Sequence, residues 1–180
     1  KIRNRFQDLG ARVFVQSDDR ADDGLTSLKA RAEGCAELKA ILSKSKNPDR
    51  DQFSQAACRE WIDVRAFGQV FAFKGVNVSV GVRGPVSVQQ AVSVSPVDII
   101  SMQITKSVNS EDGKDGKASD TMGTKHRVGF GLYVIKGSVN VQLAEKTGFS
   151  QEDAKLLKDA LKTLFENDAS SARPEGSMEV

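Results

Sequence analysis

The alternation of apolar and polar residues between positions 75 and 108 is the longest β-strand signal in the chain. Valines occupy most even positions from Val76 to Val88, whereas small and polar residues occupy the odd ones. This period of two is typical of a half-buried strand. The polar face carries one charged residue, Arg83, which predicts a backbone that a ligand can approach closely. The other residues of that face are Asn77, Ser79, Gly81, Ser87 and Gln89.

A glycine and a proline interrupt this strand at Gly84 and Pro85. Proline donates no hydrogen bond to a neighbouring strand and glycine tolerates a bend, so the pair predicts a kink, bulge or turn. A further strand is predicted over residues 97–108. The segment 107–120 is polar, contains glycine and has no apolar periodicity, and it therefore predicts a protruding loop.

Apolar residues at spacings of three and four predict helices on both sides of this β-rich region. Residues 1–6 are predicted to form the end of a basic helix that Gly10 terminates. Short strands are predicted at 11–16 and, as a hairpin, at 128–135 and 138–143. The longer predicted helices cover residues 25–43, 51–67 and 150–167, the last opening with a capping box from Ser150 to Asp153. The mixture predicts an α+β fold.

The net charge of +2 conceals an uneven distribution along the 180 residues. Residues 1–63, 64–144 and 145–180 carry net charges of +1, +4 and −3, so the β-rich middle is the basic part. A basic stripe suits a polyanion such as nucleic acid, although charge alone favours a solvated sheet face. The stripe consists of Arg65, Lys74, Arg83, Lys106, Lys125, Arg127 and Lys136.

The two cysteines, Cys35 and Cys58, have no neighbouring residues typical of a metal or redox site. We therefore expect two buried thiols in a reducing compartment. No apolar run is long enough to span a bilayer, and the N-terminus lacks a signal-peptide core. The sequence thus predicts a cytoplasmic protein without membrane contact.

Conventional enzyme motifs are missing from the sequence, and the single histidine, His126, leaves little material for a metal site or a catalytic triad. A histidine that makes a structural hydrogen bond or contacts a ligand is the favoured interpretation. Lys125 and Arg127 can bind phosphate groups, and Met122 can insert between bases. A polar strand entrance with a buried methionine is the alternative.

Four separated segments, taken together, resemble one protein family. The segments are DVRAFG at 63–68, GVRGPVSVQQA at 81–91, TMGTKH at 121–126 with GFGLY at 129–133, and the helical region 143–173. They are similar to the Cascade backbone subunit of CRISPR type I systems, the Cas7 family, and most similar to its type I-C branch. The likeness extends over residues 1–6 and about 50–176 in the same order.

This resemblance implies a single domain over residues 1–180 with a modified RNA-recognition-motif, ferredoxin-like palm. A helical insertion is expected at about 25–50 and a thumb at about 107–127. The implied function is guide RNA (crRNA) binding in a Cascade interference complex, without catalysis, metal or cofactor. The implied partners are the guide RNA, target DNA by way of the guide, further copies of the chain and other Cascade subunits.

The RNA-contacting residues combine the family positions with the residues singled out above. The resemblance implies that Lys1 and Arg3 lie on a basic helix against the RNA, with Arg65 after a helix and Arg83 in a palm turn. The full predicted set is Lys1, Arg3, Arg65, Arg83, Gln89, Met122, Lys125, His126 and Arg127.

Two other functions stay open, and one departure from the family is evident. A metal-independent endoribonuclease that processes CRISPR RNA would use His126 as its base, and a filament-forming structural protein would bind no RNA. Members of the family begin with a strand and continue beyond residue 176, so we expect the chain to be a fragment or a joining of segments.

Overall fold

A computed structural model describes residues 1–44, 48–73, 79–106, 122–171 and 173–180. The chain divides into two compact units, which are unit 1, comprising Lys1–Ser87 and Gly137–Val180, and unit 2, comprising Val88–Lys136. The single domain over 1–180 stays a prediction. Most of the predicted thumb, residues 107–121, lies outside the described residues.

Unit 1 contains seven α-helices and a short 3-10 helix (Asp18–Arg20) among its described residues, together with two pairs of strands. The helices are α1 (Ile2–Asp8), α2 (Leu28–Gly34), α3 (Ala36–Lys44), α4 (Arg50–Glu60), α5 (Ile62–Phe67), α6 (Val141–Thr147) and α7 (Gln151–Lys162). The strands are β1 (Gly68–Ala72), β2 (Ser79–Arg83), β3 (Val86–Val88, whose last residue belongs to unit 2) and β8 (Gly137–Val139). β1 pairs antiparallel with β2, and β3 is hydrogen-bonded to β8.

Unit 2 contains two further strand pairs. Its strands are β4 (Val92–Ser93), β5 (Ile99–Thr105), β6 (Met122–Val128) and β7 (Tyr133–Val134). β4 pairs with β7 and β5 with β6, both antiparallel. The mixture of helices and small antiparallel sheets confirms the predicted α+β class. The arrangement as an RNA-recognition-motif palm stays a prediction, because the described strands form two-stranded sheets.

The two long helices predicted before β1 are each broken into two. Residues 28–44 form α2 and α3, with Cys35 extended between them at φ −72° and ψ 118°. Trp61 is extended between α4 and α5, at φ −125° and ψ 126°. Its ring packs 4.7 Å from that of Phe14, and the next amide, Ile62 N, donates to Arg12 O at 3.0 Å. Tertiary packing therefore overrides the helical periodicity at this point.

Residues 11–16 do not form the predicted strand. The amides of Phe14 and Val15 donate instead to the two carboxylate oxygens of Asp63, at 2.7 and 3.1 Å. These hydrogen bonds replace those that a neighbouring strand would supply, so a buried side chain satisfies the extended backbone.

The hairpin predicted to turn at residues 136–137 is also wrong. β7 pairs with β4 and β8 is bonded to β3, so the two strands of the predicted hairpin do not pair with each other. Residues 141–147 are helical, because the side chain of Asn140 accepts a hydrogen bond from Leu143 N at 3.0 Å and caps α6. The predicted capping box of α7 is confirmed, with Ser150 and Asp153 in reciprocal hydrogen bonds.

Helix α5 lies between the two hydrophobic clusters of unit 1. Val64 belongs to one cluster, which is centred on Phe14, Phe53 and Phe71, and Ile62 belongs to the other. Four of its six residues are buried, including the carboxylate of Asp63. Asp63 lies on the buried part of this helix, so its carboxylate requires internal partners.

Two remaining predictions concern the cysteines and the membrane. Cys58 is buried, whereas Cys35 is half-buried, so only one of the two buried thiols is as expected. Burial raises the pKa of the Cys58 thiol to about 11, which keeps it protonated at neutral pH. Across the described ranges, no helix has both the length and the apolar character needed to cross a bilayer.

The kink, bulge or turn predicted at Gly84 and Pro85 is confirmed as a bend between β2 and β3, and this Gly84 turn packs directly on the end of α5. A Cβ atom on Gly84 would lie 2.3 Å from the carbonyl carbon of Phe67 and 2.4 Å from Ala66 O. Gly68, the first residue of β1, has φ 81° and lies against this turn, since a Cβ atom on Gly68 would lie 2.6 Å from Gly84 N. Only glycine permits this approach of two backbones.

We therefore predict that Gly84→Ala lowers the free energy of unfolding by about 1–3 kcal/mol, the usual cost of overpacking a close contact. Gly81→Ala on β2 is the matched control, because a Cβ there would meet no atom within 4 Å. Chemical denaturation of both variants measures the difference. Equal stability of the two variants would contradict the close packing of this turn.

Candidate functional site

The exposed face of the β1–β2 pair carries small and polar groups together with one apolar residue, Val70, which is 65% exposed. Arg83 pairs with Gly68 and Gly81 with Val70, which places these four residues on one face. Val80 on the opposite face is buried, whereas Ser79, Gly81 and Arg83 are exposed. The predicted division of this strand into a core face and an open face is thus confirmed over residues 79–83.

Arg83 stands where this open face meets the junction between α5 and β1, which comprises Phe67 and Gly68. Its backbone position is fixed by the pairing with Gly68 and by the glycine contact described above. Among the ion pairs between described residues, none involves the exposed guanidinium of Arg83. The structure therefore presents this predicted site residue to solvent.

Arg3 reaches the same junction from α1. Its Nε donates to Asp63 Oδ2 at 2.9 Å, and its guanidinium carbon lies 5.8 Å from the centre of the Phe67 ring. Its side chain is 37% exposed, whereas that of Asp63 is 1% exposed. Arg3 thus contacts the ring of Phe67, whereas Arg83 pairs with the backbone of Gly68.

Lys1, at the start of α1, is engaged in an ion pair. Its ammonium group binds the carboxylate of Asp168, which also accepts from Arg173 Nε at 3.2 Å. The Lys1 hydrogen bond holds the pKa of Asp168 below its ordinary value. The predicted role of Lys1 would require it to exchange this partner.

Arg65 is the predicted site residue with the most internal contacts. Nε and Nη2 donate to the two oxygens of Asp153 at 2.8 and 2.7 Å, and Nη1 donates to Cys58 O at 2.7 Å. Burial by itself would raise the pKa of Asp153, but the hydrogen bonds from Arg65 and Ser150 outweigh it and lower that pKa. The fork of Arg65 therefore ties α5 to the start of α7.

The remaining candidates lie in unit 2, and the strand register separates them. Facing residues of an antiparallel pair share one side of the sheet. Met122 pairs with Thr105 and His126 with Ser101, whereas Lys125 pairs with Met102 and Arg127 with Ile100. Because side chains alternate along β6, Met122 and His126 occupy one face and the two cations the other. The structure therefore divides the predicted set of four between two faces.

Individual contacts in unit 2 are polar and exposed. His126 Nδ1 lies 2.9 Å from Ser101 Oγ, and Gln103 Nε2 lies 2.8 Å from Met122 Sδ. Met122 is 66% exposed, so the buried methionine weighed as an alternative is wrong. Gln89 is exposed, and its backbone amide donates to Lys136 O at 2.8 Å.

Asp63 binds Arg3, and Asp153 binds Arg65. The sequence analysis did not identify either acidic residue as a functional position. Asp63 lies between Ile62 and Val64 in the sequence, at a point where apolar residues surround it on the helix. A charge in such a segment could have indicated a buried carboxylate with designated partners. Asp153 was identified only as part of a capping box.

The chemistry that these residues can perform is hydrogen bonding and charge neutralisation. Within the described ranges there is no group of three or more His, Cys, Asp or Glu that could hold a metal ion. The neighbour of His126 is a serine hydroxyl on an exposed strand. The site at the α5–β1 junction is a cationic surface beside an open strand face, which suits a phosphate-bearing chain.

We predict that Arg65→Ala lowers the free energy of unfolding by about 1.5–3 kcal/mol, because it leaves the largely buried Asp153 without its charged partner. Arg59→Ala, which removes an exposed ion pair with Glu37, should cost less than about 1 kcal/mol. Urea denaturation of the two variants provides the comparison. An unchanged stability for Arg65→Ala would contradict its role as a link between α5 and α7.

Comparison with known proteins supplies the family. The family model for CRISPR-associated protein Cas7 matches residues 1–180. No curated protein matches the chain. The chain is similar to one in a solved CRISPR RNA-guided surveillance complex, pre-nicking, at 19% identity and a TM-score of 0.40, over 76% of this chain and 38% of that one. The chain thus spans less than half the length of that protein. Because the family model covers every residue, the chain belongs to the CRISPR-associated protein Cas7 family.

Proposed function

We propose that the protein binds guide RNA as a backbone subunit of a type I Cascade interference complex, of the type I-C branch. The observation that carries this proposal is the position of Arg3 and Arg83 around the α5–β1 junction. Arg83 lies on the exposed strand face with Gly81, and the guanidinium of Arg3 lies over the ring of Phe67, the residue that precedes β1. Membership of the Cas7 family supports the same function.

The proposed binding mode is electrostatic and independent of base sequence. Arg3 and Arg83 neutralise phosphates, while the open face near Gly81 allows the sugar-phosphate chain to approach the backbone. Sequence recognition then belongs to pairing between guide and target, as in other RNA-guided systems. In this proposal further copies of the chain lie along the guide, other Cascade subunits bind the assembly, and target DNA binds through the guide.

We also propose that the two faces of the β5–β6 pair contact different groups. Met122 and His126 share a face with hydrogen-bonding side chains, which suits contact with bases and sugars. Lys125 and Arg127 share the other face with Ile100 and Met102, which are 52% and 40% exposed. A cationic face with apolar side chains suits contact with a phosphate backbone or a second subunit.

A direct test of the proposed binding is Arg83→Ala. We expect it to weaken affinity for single-stranded RNA of every sequence alike and to reduce the slope of log affinity against log salt by about 0.7, the share of one phosphate. Fluorescence anisotropy with polyuridine and a mixed-sequence RNA at several salt concentrations measures both quantities.

Arg59→Ala provides the control for loss of one exposed arginine, and it should leave the slope unchanged. Affinity that depends on one base at one position would contradict the backbone mode of binding. Absence of salt-dependent RNA binding by the unmodified protein would favour the filament-forming alternative, in which no RNA is bound.

The endoribonuclease alternative predicts cleavage that depends on His126. We propose instead that the protein is not an enzyme, because the described neighbour of His126 is Ser101 rather than a second acid or base. Incubation of labelled CRISPR RNA precursor with the unmodified protein and with His126→Ala should leave the RNA intact in both cases. Sequence-specific cleavage that the substitution abolishes would overturn this expectation.

A further inference from the structure

The two arginines next to α5 use their guanidinium groups differently. In Arg65, Nε and Nη2 donate to Asp153 and Nη1 donates to Cys58 O, so every side-chain nitrogen has an internal acceptor. Arg3 donates only through Nε, to Asp63 Oδ2. A guanidinium carries five N–H donors, so the four on Nη1 and Nη2 of Arg3 have no acceptor among the described residues.

The same contrast holds along α1. Arg5 donates from Nε to Thr163 at 2.7 Å and from its two terminal nitrogens to Asp8 and Glu166, and its side chain is 11% exposed. Arg3 is 37% exposed on the same helix. Exposure and unused donors therefore coincide at Arg3 and not at Arg5.

Asp63 is itself held in place from several directions. Its two oxygens accept from the amides of Phe14 and Val15, and its side chain is 1% exposed. The carboxylate therefore cannot follow Arg3 if that side chain moves. The ring of Phe67, 5.8 Å from the guanidinium carbon, contacts Arg3 as well. One fixed hydrogen bond and one aromatic contact restrain the long side chain of Arg3.

We propose that Asp63 is a positioning residue, which fixes Arg3 through Nε so that its terminal N–H donors are directed at a phosphate of the bound RNA. The inference rests on the proposed RNA binding. A long side chain that is already ordered loses less conformational entropy on binding, and a planar fork matches the oxygens of a phosphate. Lysine cannot donate to Asp63 and present a fork at the same time.

The direction in which Asp63→Asn changes the RNA affinity distinguishes a positioning role from a purely electrostatic effect. Asp63→Asn removes a negative charge near the interface, so electrostatics alone predicts tighter RNA binding. Loss of the Arg3 orientation predicts binding that is weaker by about two- to tenfold, the range expected for the ordering of one long side chain. Asp153→Asn is the matched control, because it removes one buried charge and releases Arg65, and it should not weaken binding.

The experiment measures affinity for single-stranded polyuridine RNA by anisotropy at fixed salt. We expect Asp63→Asn to weaken binding in the unmodified protein and to have no further effect in an Arg3→Ala background, since Asp63 acts through Arg3. Tighter binding by Asp63→Asn, or an equal loss in both backgrounds, would overturn the proposal.

Asp63→Asn could fail to fold because Phe14 and Val15 depend on the same carboxylate, so near-ultraviolet circular dichroism accompanies each measurement. Arg3→Lys supplies a second variant, since it alters an exposed side chain and keeps its charge. We expect its affinity to fall below that of the unmodified protein although the charge is kept, whereas unchanged affinity would overturn the proposal. If the unmodified protein shows no salt-dependent RNA binding, the proposed function fails, and the positioning role fails with it.

Discussion

The buried carboxylate of Asp63 is the constraint on which the arrangement of unit 1 depends. An isolated charge in the protein interior is costly, and removal of one partner from a buried pair is strongly destabilising. Asp63 avoids this cost by accepting hydrogen bonds from Phe14, Val15 and Arg3. Helix α1, the segment at residues 14–15 and helix α5 are thereby joined at one side chain. All three must be in place for the carboxylate to be satisfied.

The structure distinguishes basic residues that can bind RNA from basic residues that stabilise the fold. Charge along the sequence cannot make this distinction. The sequence contains 26 lysines and arginines, and the basic stripe in its middle includes Arg65 as readily as Arg83. The structure assigns the guanidinium of Arg65 to Asp153, whereas Arg83 is exposed beside the glycine-lined turn. Cations that stabilise the fold and cations that meet solvent therefore lie close together in sequence. Arg3 and Arg83, whose terminal donors have no acceptor among the described residues, both adjoin the α5–β1 junction.

Patterns governed by local rules were predictable from the sequence. The alternation at Val80, Gly81 and Arg83 correctly indicated which face is open, and the capping box from Ser150 correctly placed the start of α7. The resemblance to the Cas7 family was confirmed by the match over the whole chain, whereas the type I-C branch stays a prediction. For the strand face and the capping box, the relevant residues lie within a few positions of one another in the sequence.

Features that depend on contacts between distant segments were not predictable in this way. The break at Trp61 results from packing on Phe14, and the strand predicted at residues 11–16 is absent because a side chain from α5 takes the place of a neighbouring strand. The same applies to Arg65, whose partner Asp153 is 88 residues away. Sequence patterns identify a charged side chain, but only the fold decides whether its donors are already used.

Photochemical crosslinking to RNA that contains 4-thiouridine, followed by mass spectrometry of the crosslinked peptides, tests whether RNA binds at the α5–β1 junction. We predict crosslinks in the peptide that contains β2 and the turn at Gly84, and in the peptide of α1 that contains Arg3. Crosslinks confined to the peptides of α3 and α4, which contain neither Arg3 nor Arg83, would contradict RNA binding at this junction.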